Sequence, residues 1–75
     1  MARYKNLGGN SGVIEYEIDD DSIVVTFRDG SMYLYNSSRP GRAAVDKMKQ
    51  LAQRGRGLNS YISRTIRKNY ARKLR

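Results

Sequence analysis

Ser22-Ile23-Val24-Val25-Thr26-Phe27-Arg28-Asp29-Gly30-Ser31-Met32-Tyr33-Leu34-Tyr35-Asn36 is the stretch on which the fold of this chain turns. Ile23 to Phe27 are strong strand formers, and Met32 to Tyr35 return as a second run of the same kind. Asp29-Gly30 between them is a hairpin turn. Two registers are open. A two-residue turn sets Phe27 opposite Met32 and Val25 opposite Leu34. Tyr33 and Tyr35 then share the other face with Thr26 and Val24. A three-residue loop, Arg28-Asp29-Gly30 with a Gly bulge, slips the pairing by one and puts both tyrosines in the core with Ile23, Val25 and Phe27. The first register would offer an RNA-stacking sheet face. The second is the ordinary fate of paired strand tyrosines, which pack.

Upstream, Val13-Ile14-Glu15-Tyr16-Glu17-Ile18 alternates, with Ile14, Tyr16 and Ile18 on one face and Glu15 and Glu17 on the other. Asp19-Asp20-Asp21 reads as a solvated turn. Three adjacent carboxylates in a tight turn point in different directions, which argues against a Mg²⁺ or Ca²⁺ site. Residues 1–12 hold Gly8, Gly9 and Gly12 and show no period, so they read as a flexible N-terminal arm. Downstream, Ser37-Ser38-Arg39-Pro40-Gly41 breaks the sheet and starts a helix. Over Arg42–Gln53, Ala44, Val45, Met48, Leu51 and Ala52 recur at helical spacing. Gly55-Arg56-Gly57 ends that helix. Asn59 or Ser60 caps a second one to about Lys73, with Ile62, Ile66, Tyr70 and Leu74 as its apolar stripe. The expected architecture is α+β: a three-stranded antiparallel β-meander followed by two α-helices packed on the sheet, one domain over 13–75.

Charge is segregated along this plan. From Lys47 onward there are ten Lys and Arg and no Asp or Glu, while residues 1–46 hold five basic and seven acidic residues. All of the net +8 therefore comes from the last 29 residues. Like charges so close together are unfavourable unless water, salt or a polyanion screens them, and nucleic acid is the obvious polyanion. With no Cys and no His, the chain lacks thiolate ligands, disulfides and the commonest general base. Its acids sit on a strand edge and in turns, so no enzyme chemistry and no cofactor is expected. A Tyr70 nucleophile helped by Arg67 is the most that could be drawn, and 75 residues do not readily enclose such a site. No apolar run approaches the roughly 18 residues of a membrane span. The chain reads as cytoplasmic, without membrane contact.

The order Ile23-x-Val25-x-Phe27-x-x-Gly30-x-x-Tyr33-x-Tyr35, a Pro-started helix, Gly57-Leu58-Asn59-Ser60-Tyr61-Ile62 and Ile66-Arg67-x-x-Tyr70 resembles the KTSC domain. That small family is named for its occurrence at the C-terminus of some lysyl-tRNA synthetases, and many members are stand-alone bacterial or phage proteins of unknown function. The likeness runs from about Ser11 to Tyr70. Ser37-Ser38-Arg39 departs from it, since an apolar residue is expected directly before Pro40. The resemblance implies an α+β module associated with RNA-linked enzymes. It also pairs Tyr-x-Tyr with the alternating strand before it, which favours the bulged hairpin. It supplies no catalytic mechanism and no contact residues.

The candidate nucleic-acid-binding residues are Arg54, Arg56, Asn59, Tyr61, Arg64, Arg67, Lys68 and Arg72. On a continuous helix, Arg64, Lys68, Arg72 and Arg75 fall within a sector about 80° wide, away from the apolar stripe. Tyr61 projects near that sector, where its ring can stack on an unpaired base. Arg54 and Arg56 form a basic loop between glycines, and Asn59 and Ser60 add donors beside the helix N-terminus. The bland alternative is a solvated face of snorkelling Lys and Arg, but no acids compensate the charge. The expected function is a small non-catalytic module binding nucleic acid, RNA over DNA, mainly through phosphates. The rival is an adaptor of a bacterial or phage assembly that meets an acidic protein partner, with Val24, Thr26, Met32 and Leu34 as an apolar patch.

Overall fold

A computed structural model describes residues 1–9 and 11–75. In chain order the elements are β1 (Ala2–Arg3), β2 (Val13–Ile18), β3 (Ser22–Phe27), β4 (Met32–Asn36), α1 (Arg42–Arg54), α2 (Leu58–Tyr61) and β5 (Arg72–Lys73), with a π-helical turn, Ile62–Ile66, continuing α2. The strands form one antiparallel sheet in the order β1-β2-β3-β4-β5. The fold is therefore α+β. The expected meander is its centre, and a two-residue strand is added at each edge.

The hairpin takes the bulged register. Val25 pairs with Tyr33 and Ile23 with Tyr35. The Phe27 N–H donates to the Ser31 carbonyl at 2.8 Å, and Gly30 turns the corner at φ 89°. Ile23, Val25 and Tyr35 are thereby driven into the core beneath α1, where they meet Val45, Met48, Leu51 and Ala52. Burial of a few such side chains, each contributing about 1.5–3 kcal/mol, is the main force available to so small a domain.

Four expectations need correction. The arm at residues 1–12 was expected outside the domain. Instead Ala2–Arg3 pairs with Glu15 and Tyr16 of β2, and Tyr4 is buried. The cause lies in β2: its register shifts between Val13 and Glu15, which turns Val13 into the core and leaves Ile14 exposed. The Ile14 carbonyl then accepts the Tyr4 N–H at 2.9 Å. The same bulge corrects the reading of Ile14 as a partner of Tyr16 and Ile18 on one face.

The first helix matches its predicted start, although Pro40 lies outside it, bridging Asn36 while Gly41 takes the N-cap. Gly55 closes the helix in the left-handed region at φ 79°. The second helix is capped by Gly57 rather than by Asn59 or Ser60, and it does not reach Lys73. Arg67 stops it at φ 55° and ψ −120°. Beyond that point the chain reverses onto β4. The Leu34 carbonyl accepts the Ala71 N–H at 2.8 Å, and the Met32 carbonyl accepts the Leu74 N–H at 2.7 Å. The free backbone of β4 offers the tail hydrogen bonds that a lone, solvated last turn of helix would not keep satisfied.

Candidate nucleic-acid interface

The end of the helix at Arg67 redistributes the predicted basic stripe. Arg64 stays exposed on the π-helical turn, and Arg67 and Lys68 follow it, also exposed. Arg72, however, sits on β5 opposite Leu34, whereas Lys73 sits opposite Tyr33. Neighbours along a strand point to opposite faces, so Arg72 lies across the sheet from Lys73. Arg54 is exposed at the last turn of α1. Arg56 and Asn59 line a separate cavity of about 250 Å³ with Tyr4 and Gly57. Tyr61 is half-buried and packs against the core. Arg64, Lys68 and Arg72, expected on one helical face, thus lie on three different parts of the chain.

Two of them meet a feature that the sequence did not announce. Arg67 and Lys68 line a cleft of about 420 Å³ whose other walls are Phe27, Tyr33, Tyr35, Tyr70 and the Asp29–Ser31 turn. Tyr33 and Tyr70 are the centre of it, with ring centroids 4.7 Å apart and planes tilted by 34°. Phe27 meets Tyr33 edge-on at 5.7 Å. Tyr35, buried, forms the floor and meets Tyr70 edge-on at 6.5 Å. Offset and edge-on rings at such spacing attract one another, so the aromatic wall is held in place by its own contacts. Lys73 stands over the Tyr33 ring with Nζ 5.8 Å from its centroid, within cation–π range.

The polar groups are few. Asp29 Oδ1 accepts both the Ser31 N–H at 3.0 Å and the Ser31 hydroxyl at 2.6 Å. These bonds favour the charged form and hold its carboxyl below the usual carboxylate value. Tyr35 shows the opposite effect: burial pushes its hydroxyl well above the ordinary phenol value, so it stays neutral. Among the described residues, Asp29 is the one acid on the cleft wall. Among the described residues no group of three His, Cys, Asp or Glu is placed to hold a metal ion. The arrangement offers aromatic faces, one carboxylate and the exposed cations of Arg67 and Lys68.

Phe27, Tyr33, Tyr70, Lys73 and Asp29 were not among the predicted site residues. The slipped register already placed Phe27 beside Tyr33. The approach of Tyr70 and Lys73 depends on the turn at Arg67, for which the sequence holds no glycine as a signal.

No protein-family model, no curated protein and no solved structure matches this chain. No described helix is long and apolar enough to cross a membrane.

Proposed function

We propose that this chain is a KTSC-like module that binds nucleic acid without catalysing a reaction, with RNA preferred over DNA. The observation that carries the reading is the aromatic cleft, lined by Arg67 and Lys68, with Lys73 over the Tyr33 ring and Asp29 as the acid on its wall. Cations beside the half-buried rings of a cleft suit a strand whose phosphates are neutralised while a base stacks. What supports RNA over duplex DNA is the cleft, with about 420 Å³ of space. It admits a splayed base, and unpaired loops and bulges are where RNA presents such bases. Most of the affinity comes from phosphates, so sequence is read weakly. If Arg67, Lys68 and Lys73 each neutralise one phosphate, the logarithm of the binding constant falls against log salt with a slope of about −2 for a single strand.

An amide-shift NMR titration with short single-stranded RNA, duplex RNA and duplex DNA tests the reading. Single-stranded RNA is expected to move Tyr33, Arg67, Lys68 and Tyr70. Shifts that stay flat with all three polymers would sink it.

One observation favours a second reading, the adaptor. Val24, Met32 and Leu34 lie half-buried on the sheet face away from the helices, with Leu74 exposed at 43%. Thr26, expected in this patch, is buried and donates to Met1 Sδ at 3.9 Å. Sedimentation at rising concentration, with and without an acidic peptide, separates this reading from the first.

A further inference from the structure

The Asp29 carboxylate stands at the rim of the aromatic cleft with an oxygen to spare. Ser31 fills Oδ1 from its backbone and its hydroxyl, and Oδ2 has no hydrogen bond among the described residues. Because both Ser31 bonds fix the carboxylate against the hairpin turn, its direction is set by the backbone. Arg67 and Lys68 line the same cleft. A ligand lying against Tyr33 and Tyr70 would therefore find both cations and a fixed acceptor on the cleft wall.

An ionised carboxylate only accepts hydrogen bonds. Among the four RNA bases, guanine alone offers two adjacent donors on its Watson–Crick edge, the N1–H and the 2-amino group. Adenine and cytosine each place a ring-nitrogen lone pair beside their amino group, and that lone pair repels a carboxylate. Uracil flanks its single N–H with two carbonyl oxygens, which repel it twice. The cleft's volume of about 420 Å³ lies within the roughly 300–1,000 Å³ of small-ligand pockets.

Resting on the nucleic-acid reading above, we infer that this cleft takes a single unstacked guanine. Its ring stacks on the Tyr33–Tyr70 wall, its Watson–Crick edge donates to Asp29, and its phosphate meets Arg67 and Lys68. The module then reads one base inside an otherwise sequence-tolerant contact.

The test uses the hexanucleotides UUGUUU, UUAUUU, UUCUUU and UUUUUU at one fixed salt concentration, followed by tyrosine fluorescence and by the ring resonances of Tyr33 and Tyr70. UUGUUU is expected to bind about 5- to 150-fold tighter than the others, the range of one good two-donor contact. Asp29→Asn keeps an acceptor for Ser31 and the shape of the turn. It should abolish the preference for guanine, bringing UUGUUU to the level of the other three strands. Equal binding of all four strands overturns the guanine inference and leaves nucleic-acid binding standing. A guanine preference that survives Asp29→Asn overturns the role of the carboxylate. Binding of none of the four, with the protein shown to be folded by its amide spectrum, overturns both.

Discussion

The Tyr4 hydroxyl accepts a hydrogen bond from the buried Leu58 backbone N–H at 3.3 Å, across 54 positions of sequence. Leu58 opens α2, so its N–H has no partner inside the helix and depends on this hydroxyl. Tyr4→Phe keeps the ring and removes the acceptor. The expected cost is about 1–3 kcal/mol, the penalty for a buried donor left unmade. In a domain of this size each kcal/mol lowers the melting temperature by about 4–8 °C, which a thermal scan resolves. An unchanged transition would show that water satisfies the Leu58 N–H.

Gly55 joins the same two parts of the chain. Its carbonyl accepts the Leu7 N–H at 2.7 Å, and a Cβ placed on it would lie 2.7 Å from the Lys5 Cβ. The backbone there is also left-handed, at φ 79°. Gly55→Ala is expected to destabilise the fold by more than about 1 kcal/mol. Because the clash falls on Lys5, trypsin should cut there faster in the variant than in the parent.

Arg67 holds a backbone conformation that suits glycine, at a cost of about 1–3 kcal/mol. Arg67→Gly should therefore raise the unfolding midpoint in urea. It should at the same time weaken binding to single-stranded RNA and make the salt slope shallower by about 0.7, the share of one phosphate. A variant that binds as before would remove Arg67 from the interface.

Ending the chain after Gly57 removes Leu58, Ile62 and Ile66 from the core. The remainder is expected to lose its cooperative unfolding transition, with amide resonances collapsed to the unfolded range. A sharp transition in the truncated chain would mean that β2, β3, β4 and α1 fold alone.

The Asp29 carboxyl titrates below its ordinary value of 3.8, chiefly because the Ser31 hydroxyl and N–H bond its charged form. A lowered folded-state value means that the contribution is complete above the unfolded value and is lost as pH falls through the folded one. The Ser31 amide resonance should accordingly move below pH 3.8. Asp29→Asn should abolish that movement.

What could be read in advance follows the range of the forces involved. The β2–β3–β4 meander and α1 come from local alternation, turn chemistry and helical spacing, and all of these are written within a dozen residues. Even the bulged register was one of two written alternatives. The pairing of Ala2 with Tyr16 could not be read, because a two-residue strand has no period and exists only where β2 offers an edge. The tail misled for the opposite reason. Ile62, Ile66, Tyr70 and Leu74 keep helical spacing, yet hydrogen bonding to Leu34 and Met32 overrides it after Arg67. The cleft divides along the same line. Its Phe27–Tyr33 half was legible from register, whereas its Tyr70 and Lys73 half depends on a turn made by an arginine.

The short strands at the two margins of the sheet bear on how the protein behaves in crowded solution. A bare β4 edge, Met32-Tyr33-Leu34-Tyr35, would template pairing with another copy through its open backbone groups, the route by which β proteins aggregate. β5 occupies that position and is made of Arg72 and Lys73, so any approaching copy of the same strand meets its own charge. β1 covers the other margin with Ala2 and Arg3. Resistance to edge pairing at low salt thus rests on the charges of Arg3, Arg72 and Lys73, and it weakens where salt or a bound polyanion masks them.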